Sequence, residues 1–302
     1  MKGNKIISTK CAICETLSNS KLIYKSTIDE SSFSSDVFSA RRFPDRRYNQ
    51  WVRCNKCKLL RSDPIKDINF NELYVDSKFN YHSEINGLKK TYLKVLKRAL
   101  GKNYRKNSLF EVGGGNGFFL EAAKDIGFNI VKGIEPSKSA VEAARHDIKP
   151  MMVVSMMQAN ILDSNSYQVG VMFHVLDHLP DPVSILRDCC EALESKGKFI
   201  VAIHNELAWS ARLLGKKSPI IDVEHTYLFS KKSAEALFIK AGFIDVKSRS
   251  YSNYYSLNYI LQLVPFFTNI RKWILQSSFG FILTKLKIRA PLGNILVCGT
   301  KP

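Results

Sequence analysis

Residues Leu109 to Leu120 read Leu-Phe-Glu-Val-Gly-Gly-Gly-Asn-Gly-Phe-Phe-Leu, and no other stretch restricts the fold as much. A short apolar strand runs into a glycine turn, and an amphipathic helix follows to about Ile126. Glycine permits positive φ and lets a ligand come close to the backbone. A strand that enters such a turn and leaves as a helix opens a βαβ unit, and nucleotide cofactors bind there, over the carboxyl ends of the strands. A second strand, Ile130 to Ile134, ends in Glu135-Pro136-Ser137. An acid about 20 residues beyond the glycines suits hydrogen bonds to two ribose hydroxyls. A dehydrogenase would share both features. Further strands are expected from Val169, over Lys198–His204, over Phe243–Ser248 and over Asn294–Thr300, with a helix from Val183 to Leu193. This alternation predicts an α/β fold with a mostly parallel sheet and right-handed crossovers.

The next informative stretch is Val169-Gly-Val-Met-Phe-His174-Val-Leu-Asp177-His178-Leu-Pro180-Asp181-Pro182. Together with the Glu-x-Gly-x-Gly-x-Gly turn, it resembles the class I methyltransferases that use S-adenosylmethionine (SAM), whose fourth strand and loop read V-L-E-H-x-x-D-P. The resemblance covers roughly Ser108 to Pro302. It implies a Rossmann-like, seven-stranded SAM methyltransferase sheet. It also implies that Glu111, Gly113, Gly115, Gly117, Glu135, Pro136, Ser137, Asn160, Ile161 and His174 hold the cofactor.

Four of the seven cysteines form two pairs, Cys11-Ala-Ile-Cys14 and Cys54-Asn-Lys-Cys57. A CxxC pair puts two thiolates on one tight turn, and two such turns complete a tetrahedral sulfur site for structural Zn2+ with no position left for water. Disulfides and a redox CxxC are the competing readings. They are disfavoured because no secretion signal is evident and neither pair opens a βαβ unit. The expected organisation is a small zinc ribbon over 1–64, a helical linker and lid over 65–104 and the methyltransferase domain over 105–302. Within the linker, Ile85 to Leu100 has apolar residues near a 3.6-residue period and stops at Gly101, a natural C-cap. Cys189, Cys190 and Cys298 fall in apolar surroundings and read as core.

Methyl transfer needs alignment of nucleophile, methyl carbon and sulfur, and an oxygen or carbon nucleophile must also lose a proton to a base. His178, after the fourth strand, is one candidate. The segment Asp222-Val-Glu224-His225-Thr-Tyr-Leu-Phe-Ser230, with Phe79-Asn-Tyr81-His-Ser83 upstream, resembles zinc-containing sugar C-methyltransferases and shorter methyltransferases of polysaccharide pathways. That resemblance implies catalytic roles for Glu224, His225 and Tyr81, and a carbon or oxygen of a nucleotide-linked or lipid-linked saccharide as acceptor. His204, at a strand end, and His146, on a polar helix face, read as structural.

With 45 basic and 27 acidic residues the formal charge is +18, which favours an anionic partner. A saccharide carrying phosphate fits. A zinc-containing RNA methyltransferase is the alternative, although no Asn-Pro-Pro motif follows the fourth strand and the basic residues are scattered. A non-catalytic SAM-binding interaction protein ranks below both, because the glycines and Glu135 are intact. No apolar run is long enough to cross a bilayer, so a cytoplasmic protein is expected. The basic-aromatic stretch 254–288 is kept as core, as a lid, or as a peripheral membrane contact.

Overall fold

Strands made of apolar residues buried on both faces fill the centre of the molecule. The structure, a computed structural model, describes residues 6–28, 47–66, 85–101, 104–256 and 287–302. Tyr81 and most of the 254–288 stretch lie outside these residues. In chain order the strands of the main sheet are β6 (Ser108–Val112), β7 (Ile130–Glu135), β8 (Met152–Val154), β9 (Tyr167–Phe173), β10 (Leu193–His204), β12 (Ile244–Ser256) and β13 (Lys287–Thr300). They lie in the order β12-β13-β10-β9-β6-β7-β8. Strands β6 to β10 pair in parallel, and β13 runs antiparallel between β10 and β12. All five residues of β6 are buried, as expected for a central parallel strand covered on both faces.

Six helices matter here: α1 (Ile85–Leu100), α2 (Phe118–Asp125), α3 (Lys138–Glu142), α4 (Pro182–Ala192), α5 (Trp209–Leu214) and α6 (Lys231–Lys240). Helix α1 matches the expected span, buries Leu88, Tyr92, Val95 and Leu96, and is followed by Gly101 at φ 84°. Its Tyr92 stacks on Phe173 at the end of β9, with ring centroids 4.0 Å apart. Helix α4 starts at Pro182 with Asp181 as N-cap, its carboxylate accepting from Ser184 N at 3.1 Å. The expected core positions hold for Cys189 and Cys190, whereas Cys298 is only partly buried.

The N-terminal segment forms a four-stranded antiparallel sheet from β2 (Ser20–Tyr24), β3 (Trp51–Cys54), β4 (Leu60–Ser62) and β11 (Tyr227–Leu228). Its fourth strand therefore comes from the far side of the chain, with Tyr227 opposite Arg61. Two short strands, β1 (Ile6–Ile7) and β5 (Ile65–Lys66), pair beside it. Arg61 is fully buried, and its guanidinium donates to Thr9 O, Ser20 Oγ, Leu17 O and Asp63 Oδ2 at 2.8–3.2 Å. One buried fork thus fixes several loops that a small apolar core could not hold. The core is continuous across both parts: Cys11, Cys54 and Leu59 pack in the same cluster as Phe199, Leu237 and Phe243.

Candidate active site

The glycine turn sits where β6 meets α2. Gly113, Gly115 and Gly117 have φ of 75°, 54° and 71°, a region that side chains with a Cβ rarely adopt. A Cβ on Gly113 would also lie 2.3 Å from Val175 Cγ2, so the loop after β9 is flush against the turn. Gly113 N and Gly114 N both donate to Ile134 O at the end of β7. Next to it, Glu135 Oε2 accepts from Gly115 N at 2.8 Å and Oε1 from Ser137 N at 2.9 Å. A carboxylate has about four lone-pair sites, so two acceptor positions remain for a ligand. Ser137 is buried and its hydroxyl caps α3 by accepting from Ala140 N.

Beneath the turn Glu111 is buried, and its Oε2 has no hydrogen-bond partner. Burial, then the neighbouring Glu135, pushes the Glu111 carboxyl well above the usual range. Burial also raises Glu135, against the pull of the two backbone N–H groups. Of the other expected contacts, Pro136 is half-buried, Asn160 is exposed with φ 65°, and Ile161 packs partly against the main core.

The chain leaves β9 through His174, which has φ 56°, and its N–H donates to Ala202 O at 2.8 Å. Its Nε2 lies 3.2 Å from Tyr251 Oη of β12. This left-handed residue redirects the backbone so that Asp177 and His178 face the Glu224-His225 segment. Asp177 is fully buried, and neither of its carboxylate oxygens has a hydrogen-bond partner. His178 Nε2 stands 3.8 Å from Oδ1 and His225 Nε2 3.7 Å from Oδ2. The ring centroids of His178 and His225 are 4.7 Å apart, as are those of His174 and His204, and His204 is 5.4 Å from His225.

Burial alone would raise the Asp177 carboxyl, but the four imidazoles outweigh it and take it down to about 2. Burial, followed by the neighbouring His178, lowers His225 to about 3, against the attraction of Asp177. His225 is therefore a neutral imidazole at neutral pH, with a lone pair to donate.

The segment bearing Glu224 and His225 is held from the N-terminal side. Thr226 N and Tyr227 N donate to Asp177 O, Thr226 Oγ1 donates to His178 O, and Ser62 N donates to Thr226 O. Tyr227 Oη donates to Lys10 O at 3.0 Å, one residue before the first cysteine pair. The four Sγ atoms of Cys11, Cys14, Cys54 and Cys57 lie within 4.8 Å of one another. Zn–S bonds of about 2.3 Å imply S···S separations of about 3.8 Å, so these thiols fit one tetrahedral ion. Both CxxC turns close alike: Glu15 N donates to Cys11 O and Lys58 N to Cys54 O, each with positive φ (59° and 65°). Lys240 of α6 donates to Ala12 O and Ile13 O, and so ties the first turn to the main domain.

This geometry agrees with the comparisons. The sequence model of a family described as "Methyltransferase domain" matches residues 85–248, more than half of the chain. The chain belongs to the methyltransferase-domain family. A probable SAM-dependent methyltransferase of Mycobacterium tuberculosis is 34% identical over 97 residues, 31% of this chain and 34% of that protein. The ubiquinone biosynthesis O-methyltransferase of Vibrio campbellii is 28% identical over 137 residues, 43% of this chain and 56% of that protein. The matches thus span between a third and three-fifths of those relatives' own length. Among solved structures, a chain from the complex of the Haloferax volcanii Trm112 methyltransferase activator with a methyltransferase superposes with a TM-score of 0.51. It is 18% identical and covers 78% of this chain and 98% of that one. A SAM-dependent methyltransferase from Archaeoglobus fulgidus gives 0.50 at 15% identity, with 77% and 98% covered. These two establish the shared fold.

In this methyltransferase the residues expected to hold SAM, at the glycine turn and at the β7 end, stand side by side, and their chemistry fits it. The glycines leave room for it, Glu135 keeps free lone pairs for a ribose, and the unpaired Oε2 of Glu111 suits an ammonium group. His178 and His225 are brought together, and Glu224, the residue before His225, is half-buried. His204, read as structural from the sequence, lies beside His174 and His225, a proximity that a residue at a strand end gives no local sign of. The His-x-x-Asp-His spacing after β9 is the one sequence sign that Asp177 sits among histidines. His146 sits in an exposed turn beyond α3 and not on a helix face.

Proposed function

We propose that this methyltransferase moves the methyl group of SAM to a hydroxyl oxygen of an anionic saccharide, nucleotide-linked or lipid-linked. The observation that carries the reading is the cluster of Asp177, His178 and His225, whose β9 loop is flush against the cofactor turn through Val175 and Gly113. SAM supplies an electrophilic methyl carbon on a sulfonium. Glu135 and the glycine turn bind and orient it, and Glu111 receives its ammonium end. The Glu224–His225 pair takes the acceptor's proton, and the Asp177 carboxylate lies beside the two imidazoles. Oxygen is preferred to carbon because relatives of known class are O-methyltransferases. The formal charge of +18 favours the anionic acceptor.

The four cysteines hold a structural Zn2+ that carries the N-terminal sheet and, through β11, the Glu224–His225 segment. No helix among the described residues is long and apolar enough to cross a membrane. A lipid-linked acceptor would then be met at the surface, and the 254–288 stretch is the candidate contact.

The test is transfer of labelled methyl from SAM into a cell extract fractionated into small anions, lipids and RNA. Label in nucleotide sugars or lipid-linked glycans is expected, with Glu224→Ala and His225→Ala each lowering turnover at least ~100-fold, the usual worth of general acid–base catalysis. Label confined to RNA, or full turnover in both variants, would overturn it.

A further inference from the structure

A buried carboxylate that accepts no hydrogen bond is costly, and such groups are normally paired or coordinate a metal. Asp177 is in that position, with imidazoles on both sides and none of them within hydrogen-bond distance of its oxygens. The ligand atoms of Asp177, His178 and His225 all lie within 4.8 Å of one another, and so do those of His174, Asp177 and His204. A tetrahedral ion with bonds of about 2.1 Å to nitrogen and oxygen has ligand separations of about 3.4 Å. His178 Nε2 is 3.8 Å from Oδ1 and His225 Nε2 3.7 Å from Oδ2, so each imidazole comes within a few tenths of an ångström of that value to one oxygen of the same carboxylate.

Resting on the reading of this cluster as the place where the acceptor loses its proton, the geometry points to a second metal centre. Asp177, His178 and His225 form a two-histidine, one-carboxylate face for a divalent transition cation next to the SAM turn. Two imidazoles and one carboxylate select Zn2+, Mn2+, Fe2+ or Co2+ over Mg2+ or Ca2+, which take oxygen ligands. His178 is the most open of the three, so the remaining coordination positions are reached from its side. There the ion takes the acceptor hydroxyl and lowers its pKa. The Glu224–His225 pair then divides its work. His225 ligates, and the O–H proton goes to the Glu224 carboxylate. The oxygen's electron pair forms the new bond to the methyl carbon while the C–S pair withdraws to sulfur.

The test uses the full chain, stripped by chelator under reducing conditions and reloaded with Co2+ alone. Two ions per chain are expected. One should show the strong thiolate-to-cobalt absorption of the four-cysteine site, and the other only weak ligand-field bands. Asp177→Asn and His225→Ala should each lose the second ion and keep the thiolate absorption, which also reports that the N-terminal sheet is folded. One ion in the wild type would overturn the inference, as would a second ion that survives in both variants. Because no acceptor is present, this count stands apart from the methyl-transfer assay. An enzyme that transfers methyl groups with one bound ion keeps the saccharide reading and sinks only the metal.

Discussion

At the residue scale, Glu111 shows a binding site kept at the expense of stability. Its carboxyl is buried under the glycine turn with one oxygen unpaired, and its pKa is raised by burial and by Glu135. For a group raised in the folded state, the stability of the protonated form is fully present below the ordinary glutamate value of about 4.3. It is lost as pH rises through the raised value. Glu111→Gln removes that pH dependence. The difference in Tm between variant and wild type, measured without SAM, should be near zero at about pH 4 and grow in favour of the variant towards neutrality. SAM affinity should fall in the same variant, because the ammonium acceptor is gone. A Tm difference that does not change with pH would show that Glu111 is not ionising against its surroundings.

At the element scale, the short strand Tyr227–Leu228 belongs to the N-terminal sheet by pairing and to the active site by sequence. Tyr227→Phe removes the hydroxyl that donates to Lys10 O, with Pro180 O 3.4 Å away. The expected cost is about 0.5–1.5 kcal/mol in urea unfolding. Turnover should drop while the Kd for SAM stays unchanged, because Glu224 and His225 loosen and the glycine turn does not. Equal losses of SAM binding and turnover would argue that the strand does not act locally.

Elements of this kind were also where sequence reasoning stopped. β6, β7 and α1 were legible because apolar runs of the right period end at Gly113, Glu135-Pro136 and Gly101. β8 has three residues and no bounding signal, so it was not foreseen. The pairing of Arg61 with Tyr227 joins distant segments whose local composition carries no trace of the partner. The residues expected to hold the cofactor could be named for the same local reason, since a turn and a strand end each lie within a few residues. The histidine cluster draws on three separate segments, the loop after β9, the end of β10 and the stretch before β11, and only its 174–178 part has a sequence spacing to read.

For the whole molecule, the N-terminal segment behaves as part of one folding unit. Cys11, Cys54 and Leu59 share a core cluster with Phe199 and Leu237, and Arg53 binds Glu206 through two hydrogen bonds of 2.6 Å. A chain beginning at residue 67 would expose this apolar surface and leave the buried Glu206 carboxylate unpaired. It should aggregate, or unfold without a cooperative transition, when followed by calorimetry. Cooperative unfolding at the wild-type Tm would show instead that the main sheet is self-sufficient.

The pairing of β4 with β11 has a consequence in time. Arg61 waits for Tyr227, so during synthesis the edge of the N-terminal sheet stays open until most of the main domain has been made. At about 5–20 residues per second, that delay is on the order of ten seconds or more. An open strand edge in a nascent chain invites pairing with a neighbour. Its exposed end is guarded by charge, since Arg53, Lys56 and Lys58 surround it, and like charges keep two unfinished copies apart.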